Sequence, residues 1–487
     1  RAHRSAASPS TVRGPVAVEE QRASEGGSGQ SGPSPCLSAL VEVIALQEHP
    51  SRSRGLAVAT VRDPDFPGMP LQLVVGGAWS VGDQGLLIAV GAEVPRDFGV
   101  GRTYEAALAR AGWKLERPLD IEGELSYGLL LPAEAASRAA ELRGMPFAER
   151  RAALELGFVG SAFRASVGSD ASAEKAVCSA LLQVGAMPSG LKPTFQRLSR
   201  TDMGVHARSF RLATPLLRVS ASDLRHDGRC PSLTDALNRR LPEELRVFEV
   251  ARVPYSADLS AACTSREYRY YFPRAALRLG DGGEARLAEC LHLYAGTHCF
   301  ANFTRLDLYG ALARELRGTA AGERWLQEAC GHRRRRREAG FPAEARVGPE
   351  LLEVVRSMTV REVLSAELQE AAGGELLAVR LVGSGFLNGM VRLLVGAACA
   401  VAAGLMEPSD LQRALDAERL VDLSELMAPP HGLVLFGQGL DDRSGSWLPP
   451  RRCEELADRF LDEAIMPEVR RAWGEQPSFG PHFQRHG

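Results

Sequence analysis

The chain has 487 residues, 45% of them hydrophobic, which is enough for two or three domains with substantial cores and excludes a small disulfide scaffold. Its 58 basic and 60 acidic residues leave a net charge of −2, so bulk positive charge is excluded as the means of holding a nucleic acid, and such a partner must meet a local basic surface. The nine cysteines are odd in number and form no C-x-x-C pair, which points to a reducing, intracellular compartment.

Residues 1–36 are rich in Ser, Arg, Gly and Pro and carry no acid before Glu19. They read either as the remnant of a transit peptide, with a plastid or mitochondrial address, or as a disordered leader on a nuclear or cytoplasmic protein. From Leu40 to Pro132 short apolar runs such as "LVEVIAL", "LAVATV", "LQLVVGGAW" and "GLLIAVGAEV" alternate with Gly, Pro and Asp. That pattern predicts a small β-barrel or sandwich over 37–145. The segment resembles the tRNA-binding OB-fold appended to some aminoacyl-tRNA synthetases, at His49, Pro50, Val74, Val75, Gly76 and Gly91. The resemblance implies a β-barrel domain that binds folded tRNA through a shallow groove.

The polar stretch "PAEAASRAAELRGMPFAERRAA" (132–153) has helical composition and reads as a linker to a second region, taken as 151–445. There "DASAEKAVCSALLQVG" places apolar residues at 173, 176, 177, 180, 181 and 184, one helix face, with Asp170 or Ser172 as N-cap and Gly185 as terminator. Next, 194–198 and 207–212 read as strands, which makes "SRTDMGVH" a loop presented between them. Gly204 permits a positive φ or a close backbone approach. Arg200 lies near enough in sequence to keep Asp202 ionised, and an ionised carboxylate is a nucleophile or a base without a metal. A structural ion pair explains the same two residues, and His206 reads equally as a loop-ordering hydrogen-bonding group.

Further on, "CTSREYRYYFP" (263–273) reads as a strand with Arg266, Tyr268, Tyr270 and Phe272 on one face and Glu267, Arg269 and Tyr271 on the other. Aromatics interleaved with arginines suit base stacking and phosphate contact; an aromatic core strand is the plainer reading. Cys290, His292, His298 and Cys299 are the nearest approach to a zinc cluster, but core and strand-edge roles account for them. Residues 306–355 read as an insertion that includes the run Arg333–Arg337, either a solvated loop or a phosphate track. In 376–404 an apolar strand runs into Ser384 and Gly385, followed by a helix with Leu387, Met390, Val391, Leu394, Val395 and Ala398 on its buried face. Arg392 falls off that stripe, and the segment fits a buried helix better than a membrane span. Residues 446–487 are left as a C-terminal tail.

In this order and at these separations, the segments resemble the TruA family of tRNA pseudouridine synthases, in its eukaryotic-type branch. "SRTDMGVHA" matches the family signature R-T-D-x-G-V-H-A. "DALNRRLPEELRVFEVARVP", "SREYRYYF", "YAGTHCFANFT" and "GFLNGMVRLLVG" supply the other landmarks, and coverage runs from about Leu154 to Asp441. The resemblance implies an α+β pseudouridine synthase fold, two antiparallel-sheet and helix halves around a central cleft. It also implies a tRNA substrate, other structured RNA being a possible addition, with no cofactor, no metal and no membrane. By position it makes Asp202 the catalytic aspartate, Tyr268 the residue that stacks on the uracil and assists proton removal, Arg200 an aid to base flipping, and Arg392 a partner of Asp202 or of a phosphate. RNA-facing roles fall to His206, Arg266, Arg269, Asn302, Phe303 and Asn388.

The first strand, "LELGFVGSAFRAS", lacks the Tyr-x-Gly and Gly-Trp-Gln of the family, and Asp258 stands where many relatives carry a basic residue, so RNA contacts are altered there more than catalysis. Two competing readings remain at the level of sequence. A non-catalytic RNA binder has no need of Arg200, Asp202 and Tyr268 together, and a metal-dependent phosphoesterase built on Asp202 and His206 lacks further ligands.

Overall fold

The computed structural model describes residues 38–48, 56–62, 66–76, 79–88, 147–164, 172–187, 195–220, 222–225, 227–255, 257, 259–277, 282–305, 344–346, 349–416, 419–421, 423–441 and 453–479. The leader, the second half of the expected barrel, Asp258 and Arg333–Arg337 lie outside them.

Strands β1 (Ser38–Glu48), β2 (Leu56–Arg62), β3 (Leu71–Gly76) and β4 (Gln84–Ile88) form an antiparallel sheet in the order β3-β2-β1-β4. Val41, Val43, Ala59, Val61, Leu71, Leu73 and Val75 are buried at alternate positions, the period expected of a sheet with one covered face. Among the described residues this sheet is open, and no strand closes it into a barrel.

The second sheet contains β5 (Phe147–Phe158), β6 (Gln196–Arg197), β7 (His206–Ser220), β8 (Leu245–Arg252), β9 (Cys263–Pro273), β10 (Gly296–Cys299), β12 (Val360–Ala371), β13 (Leu376–Gly383) and β15 (Leu433–Leu440). Short strands β11 (Glu344–Arg346) and β14 (Arg419–Val421) pair apart from it. The order is β10-β12-β13-β9-β15-β7-β5-β8, with β6 on β7. Every pairing is antiparallel except β15 with β7, where Val434 lies opposite His206 and Leu435 opposite Ala207. The two antiparallel halves therefore join in one mixed sheet, and the parallel seam falls on the residues that end the SRTDMGVH loop.

Helix α1 (Ala173–Gln183) has the expected cap, with Ser172 Oγ accepting from Lys175 N, and Gly185 beyond its end at φ +72°. Then come α2 (Pro231–Asn238), α3 (Gly283–His292), α4 (Pro349–Thr359), α5 (Met390–Ala402) and α6 (Pro408–Ala414). In α5 every residue is buried except Arg392. No helix of the described residues is long and apolar enough to cross a membrane.

Two segments differ from the sequence reading. The end of the supposed linker is strand from Phe147 onward, because β5 pairs with β7 on one side and β8 on the other, and this pairing overrides the helical preference of Ala, Glu and Arg. Arg151 is buried there, donating to the carbonyls of Tyr255 (3.0 Å) and Ala257 (2.6 Å) and to Gln196 Oε1 (2.7 Å), which fixes the approach to the SRTDMGVH loop. The supposed tail holds α7 (Glu454–Phe460), a π-helical turn (Leu461–Ile465) and α8 (Met466–Glu475). These pack against the second sheet with Phe460, Ile465, Val469 and Trp473 buried.

Candidate active site

The loop between β6 and β7 makes a tight turn in which Val205 N donates to Asp202 O at 3.2 Å and Gly204 has φ +80°. Glycine at the third place of such a turn is what a type II geometry requires. A Cβ on Gly204 would also stand 3.0 Å from Pro430 Cγ. The turn leaves Met203 exposed and Asp202 half-buried at the mouth of the sheet seam.

The Asp202 carboxylate makes no hydrogen bond or ion pair with any described residue, yet it lies within electrostatic reach of the Tyr268 hydroxyl and the Arg392 guanidinium. Tyr268 comes from β9, Arg392 from α5 and Asp202 from the turn before β7, so three segments far apart in sequence converge. Arg392 is clipped in both directions: its Nε donates to Ala428 O at 2.6 Å, and its own carbonyl accepts from Ala428 N at 3.1 Å. Tyr268 is 7% exposed, with its ring edge-on to Phe386 at 5.4 Å. Burial pushes its phenol well above the usual range; the Asp202 charge pushes the same way and Arg266 opposes it. The Tyr268 hydroxyl therefore keeps its proton at neutral pH and can donate a hydrogen bond. Arg200 stands exposed on the same loop and makes no ion pair with Asp202 or with any other described residue, so the expected Arg200–Asp202 pair is absent from this conformation.

Residues 353–438 match the profile of a family described as tRNA pseudouridine synthase. The tRNA pseudouridine synthase A of Akkermansia muciniphila is 31% identical over 264 residues, which cover 51% of this chain and 81% of that protein. The chain belongs to the tRNA pseudouridine synthase family. The tRNA pseudouridine synthase A of Methanosarcina acetivorans is 25% identical over 325 residues, 66% of this chain and 97% of that one. The tRNA pseudouridine(38/39) synthase of Mus musculus is 30% identical over 173 residues, 33% and 35% of the two chains.

Several residues expected to face RNA have other work in this synthase. His206 is completely buried: Nδ1 accepts from Gly160 N (3.0 Å), so Nε2 carries the proton and donates to His431 O (3.1 Å). Burial holds its imidazole down at about 4. Asn302 is buried too, with Nδ2 donating to Ala414 O (2.9 Å) and Oδ1 accepting from Val421 N (2.7 Å), which ties α6 to β14. Phe303 sits in the core against Tyr294 and Phe300. In this structure all three are buried, and the contacts that hold them lie within the fold.

Arg266 spans two carbonyls, Ser384 O (2.6 Å) and Leu198 O (2.8 Å), and so holds β9, the end of β13 and the loop together. Arg269 pairs with Glu267 (2.8 Å) and lies 3.4 Å over the Phe436 ring. Asn388 is exposed beside Arg305, whose backbone N donates to Asn388 O at 2.8 Å. Arg305 is exposed, forms no ion pair with a described residue, and adds its positive charge to the surroundings of Arg392. Sequence reading stopped one residue short of it, at the end of YAGTHCFANFT, and missed Phe386 and the Ala428–Gly432 loop, which carry no reactive pattern of their own.

Among the described residues no group of three or more His, Cys, Asp or Glu side chains is placed to hold a metal ion, and Cys299 Sγ lies 3.1 Å from Thr359 Oγ1 in the core.

Proposed function

We propose that this synthase converts uridine to pseudouridine in tRNA with Asp202 as the group that acts on the target nucleotide. The observation that carries the reading is a half-buried carboxylate with no hydrogen-bond partner among the described residues, within electrostatic reach of both the Tyr268 hydroxyl and the Arg392 guanidinium. The reaction is an isomerisation. The C1′–N1 bond breaks, the base turns, a C1′–C5 bond forms, and the proton on C5 leaves while N1 ends protonated. Atoms and electrons balance within the substrate, so a carboxylate and a pocket that retains the free base suffice.

Tyr268 and Phe386 offer an aromatic wall for the extruded uracil, with the neutral Tyr268 hydroxyl as a hydrogen-bonding group. Arg392 holds the Asp202 charge in place against the cost of desolvation. Arg200, free of any carboxylate among the described residues, reaches into the space left by the flipped base. Extrusion costs on the order of a few kcal/mol, offset by stacking and phosphate contacts. Arg305 and Asn388 are phosphate-contacting candidates at the rim. The N-terminal sheet, read as part of an OB-like tRNA-binding domain, supplies affinity for the tRNA body.

The test is pseudouridine mapping on bulk tRNA incubated with the wild-type protein and with Asp202→Asn, with chelator present and no cofactor added. New pseudouridine from the wild type alone is expected. Equal modification by both proteins removes Asp202 from its role, and none from either, together with tight tRNA binding, favours a non-catalytic RNA binder.

A further inference from the structure

The turn that carries Asp202 is clamped on two sides. On one side Gly160 abuts it so closely that a Cβ there would stand 2.2 Å from Val205 O, and Gly160 N donates to His206 Nδ1. On the other side the Ala428–Gly432 loop supports it: Pro430 lies against Gly204, and His431 O accepts from His206 Nε2. That same loop accepts from Arg392 through Ala428 O and from the Tyr270 hydroxyl through Pro429 O at 2.9 Å. One short loop thus sets the relative positions of the Asp202 turn, the Arg392 helix and the tyrosine strand.

Neither clamp is held only by the sheet. Ser161, the neighbour of Gly160, donates to Glu468 Oε1 at 2.6 Å. The His431 ring makes no hydrogen bond with a described residue; it stands edge-on to Trp473 with centroids 4.7 Å apart. Trp473 is itself fixed, with Nε1 donating to Tyr271 O at 2.9 Å and its ring against Tyr270 and Phe479. Both Glu468 and Trp473 belong to α8, and α7 is pinned to β7 by Arg208, whose Nε meets Asp458 Oδ1 at 2.6 Å two residues after His206. The whole C-terminal helical segment lies outside residues 353–438, the stretch that matches the family profile.

We propose that α7 and α8 are a positioning element for the catalytic turn, with Glu468 holding the Gly160 side and Trp473 the His431 side. The proposal rests on Asp202 being the catalytic carboxylate. Neither Glu468 nor Trp473 touches the substrate; each acts by fixing the backbone that presents Asp202 to it. Loss of either contact lets the turn shift relative to Tyr268 and Arg392, and small misplacements of a reacting group cost rate far more than affinity.

The experiment measures single-turnover pseudouridine formation at saturating tRNA, tRNA Kd and melting temperature on the full chain. The variants are Trp473→Ala, Trp473→Phe, Glu468→Ala, Glu468→Gln, Ser161→Ala and the double variant Ser161→Ala with Glu468→Ala, beside Asp202→Asn as control. For Trp473→Ala and Glu468→Ala the expected result is a fall in rate of roughly tenfold or more, with Kd within about threefold of wild type. Trp473→Phe and Glu468→Gln, which retain a ring on His431 and an acceptor for Ser161, recover most of the rate. Ser161→Ala lowers the rate as Glu468→Ala does, and the double variant is no worse than either single change. Wild-type rates in Ser161→Ala and Glu468→Ala, or losses in rate and affinity that follow melting temperature without rescue by the conservative variants, overturn the proposal. If Trp473→Ala does not fold, the mild Ser161 and Glu468 changes still decide. An active Asp202→Asn would instead overturn the reading of Asp202.

Discussion

His206 shows how a residue of a catalytic-looking motif serves the fold. Its neutral form is required, because a protonated Nδ1 could not accept from Gly160 N. Burial lowers its pKa from 6.5 to about 4, and burial with the nearby Arg392 charge does the same for His431. Between those values the unfolded chain binds protons that the folded chain refuses, so stability is full above about pH 6.5 and is lost as pH falls towards 4. For the fully buried His206 the loss amounts to about 3 kcal/mol across that window. Urea unfolding at pH 7 and pH 4.5 should show this slope in the wild type and a shallower one in His206→Gln; equal slopes would refute the linkage.

Tyr268 yields a second prediction at the same scale. If the ring matters and the phenol stays protonated, Tyr268→Phe retains more than about a tenth of the wild-type rate while Tyr268→Ala loses most of it. A loss of about a hundredfold or more in Tyr268→Phe, the scale of general acid–base catalysis, would instead assign the hydroxyl a part in proton removal.

Among the elements, those whose pattern is set locally were legible in the sequence. Strand β9 occupies the expected Cys263–Pro273 with its faces alternating as read, and α1 begins at the Ser172 cap. Elements decided by distant partners were not. The first half of β5, residues 147–153, was hidden by helix-forming residues because its partners on β7 and β8 lie 60 to 100 residues away. The α7–α8 pair is polar along much of its length, and only Trp473 and its apolar companions mark the face that packs. Candidate site residues divide in the same way. Asp202, Tyr268 and Arg392 come together as the motifs suggested, whereas burial of His206, Asn302 and Phe303 follows from contacts with residues 46 to 225 positions away or from the core, which spacing does not reveal.

At the mouth of the site, Arg305→Gln should weaken tRNA binding uniformly across tRNA species and reduce the salt dependence of Kd by about one released ion. An unchanged slope would place Arg305 away from the RNA path.

For the molecule as a whole, a net charge of −2 leaves tRNA binding to local features, which in the proposed reading are Arg200, Arg305 and the N-terminal sheet. That sheet is continuous with the catalytic core: its buried valines and leucines belong to the same apolar cluster, Phe66 and Met69 pack beside Leu198 and Cys263, and the Arg252 guanidinium lies 5.3 Å from the Phe66 ring centroid. Deleting residues 1–145 is therefore expected to lower both melting temperature and tRNA affinity while leaving measurable pseudouridine formation at saturating tRNA. Unchanged affinity in the truncated protein would contradict the tRNA-binding role of the N-terminal region.

The central claim is that chemistry resides in one carboxylate and binding resides elsewhere. It is tested most directly by measuring, on the same tRNA, the Kd and the single-turnover rate of Asp202→Asn. The account predicts a Kd within about threefold of wild type, since surface contacts dominate affinity, together with no detectable pseudouridine. Turnover at a rate near that of the wild type would contradict it.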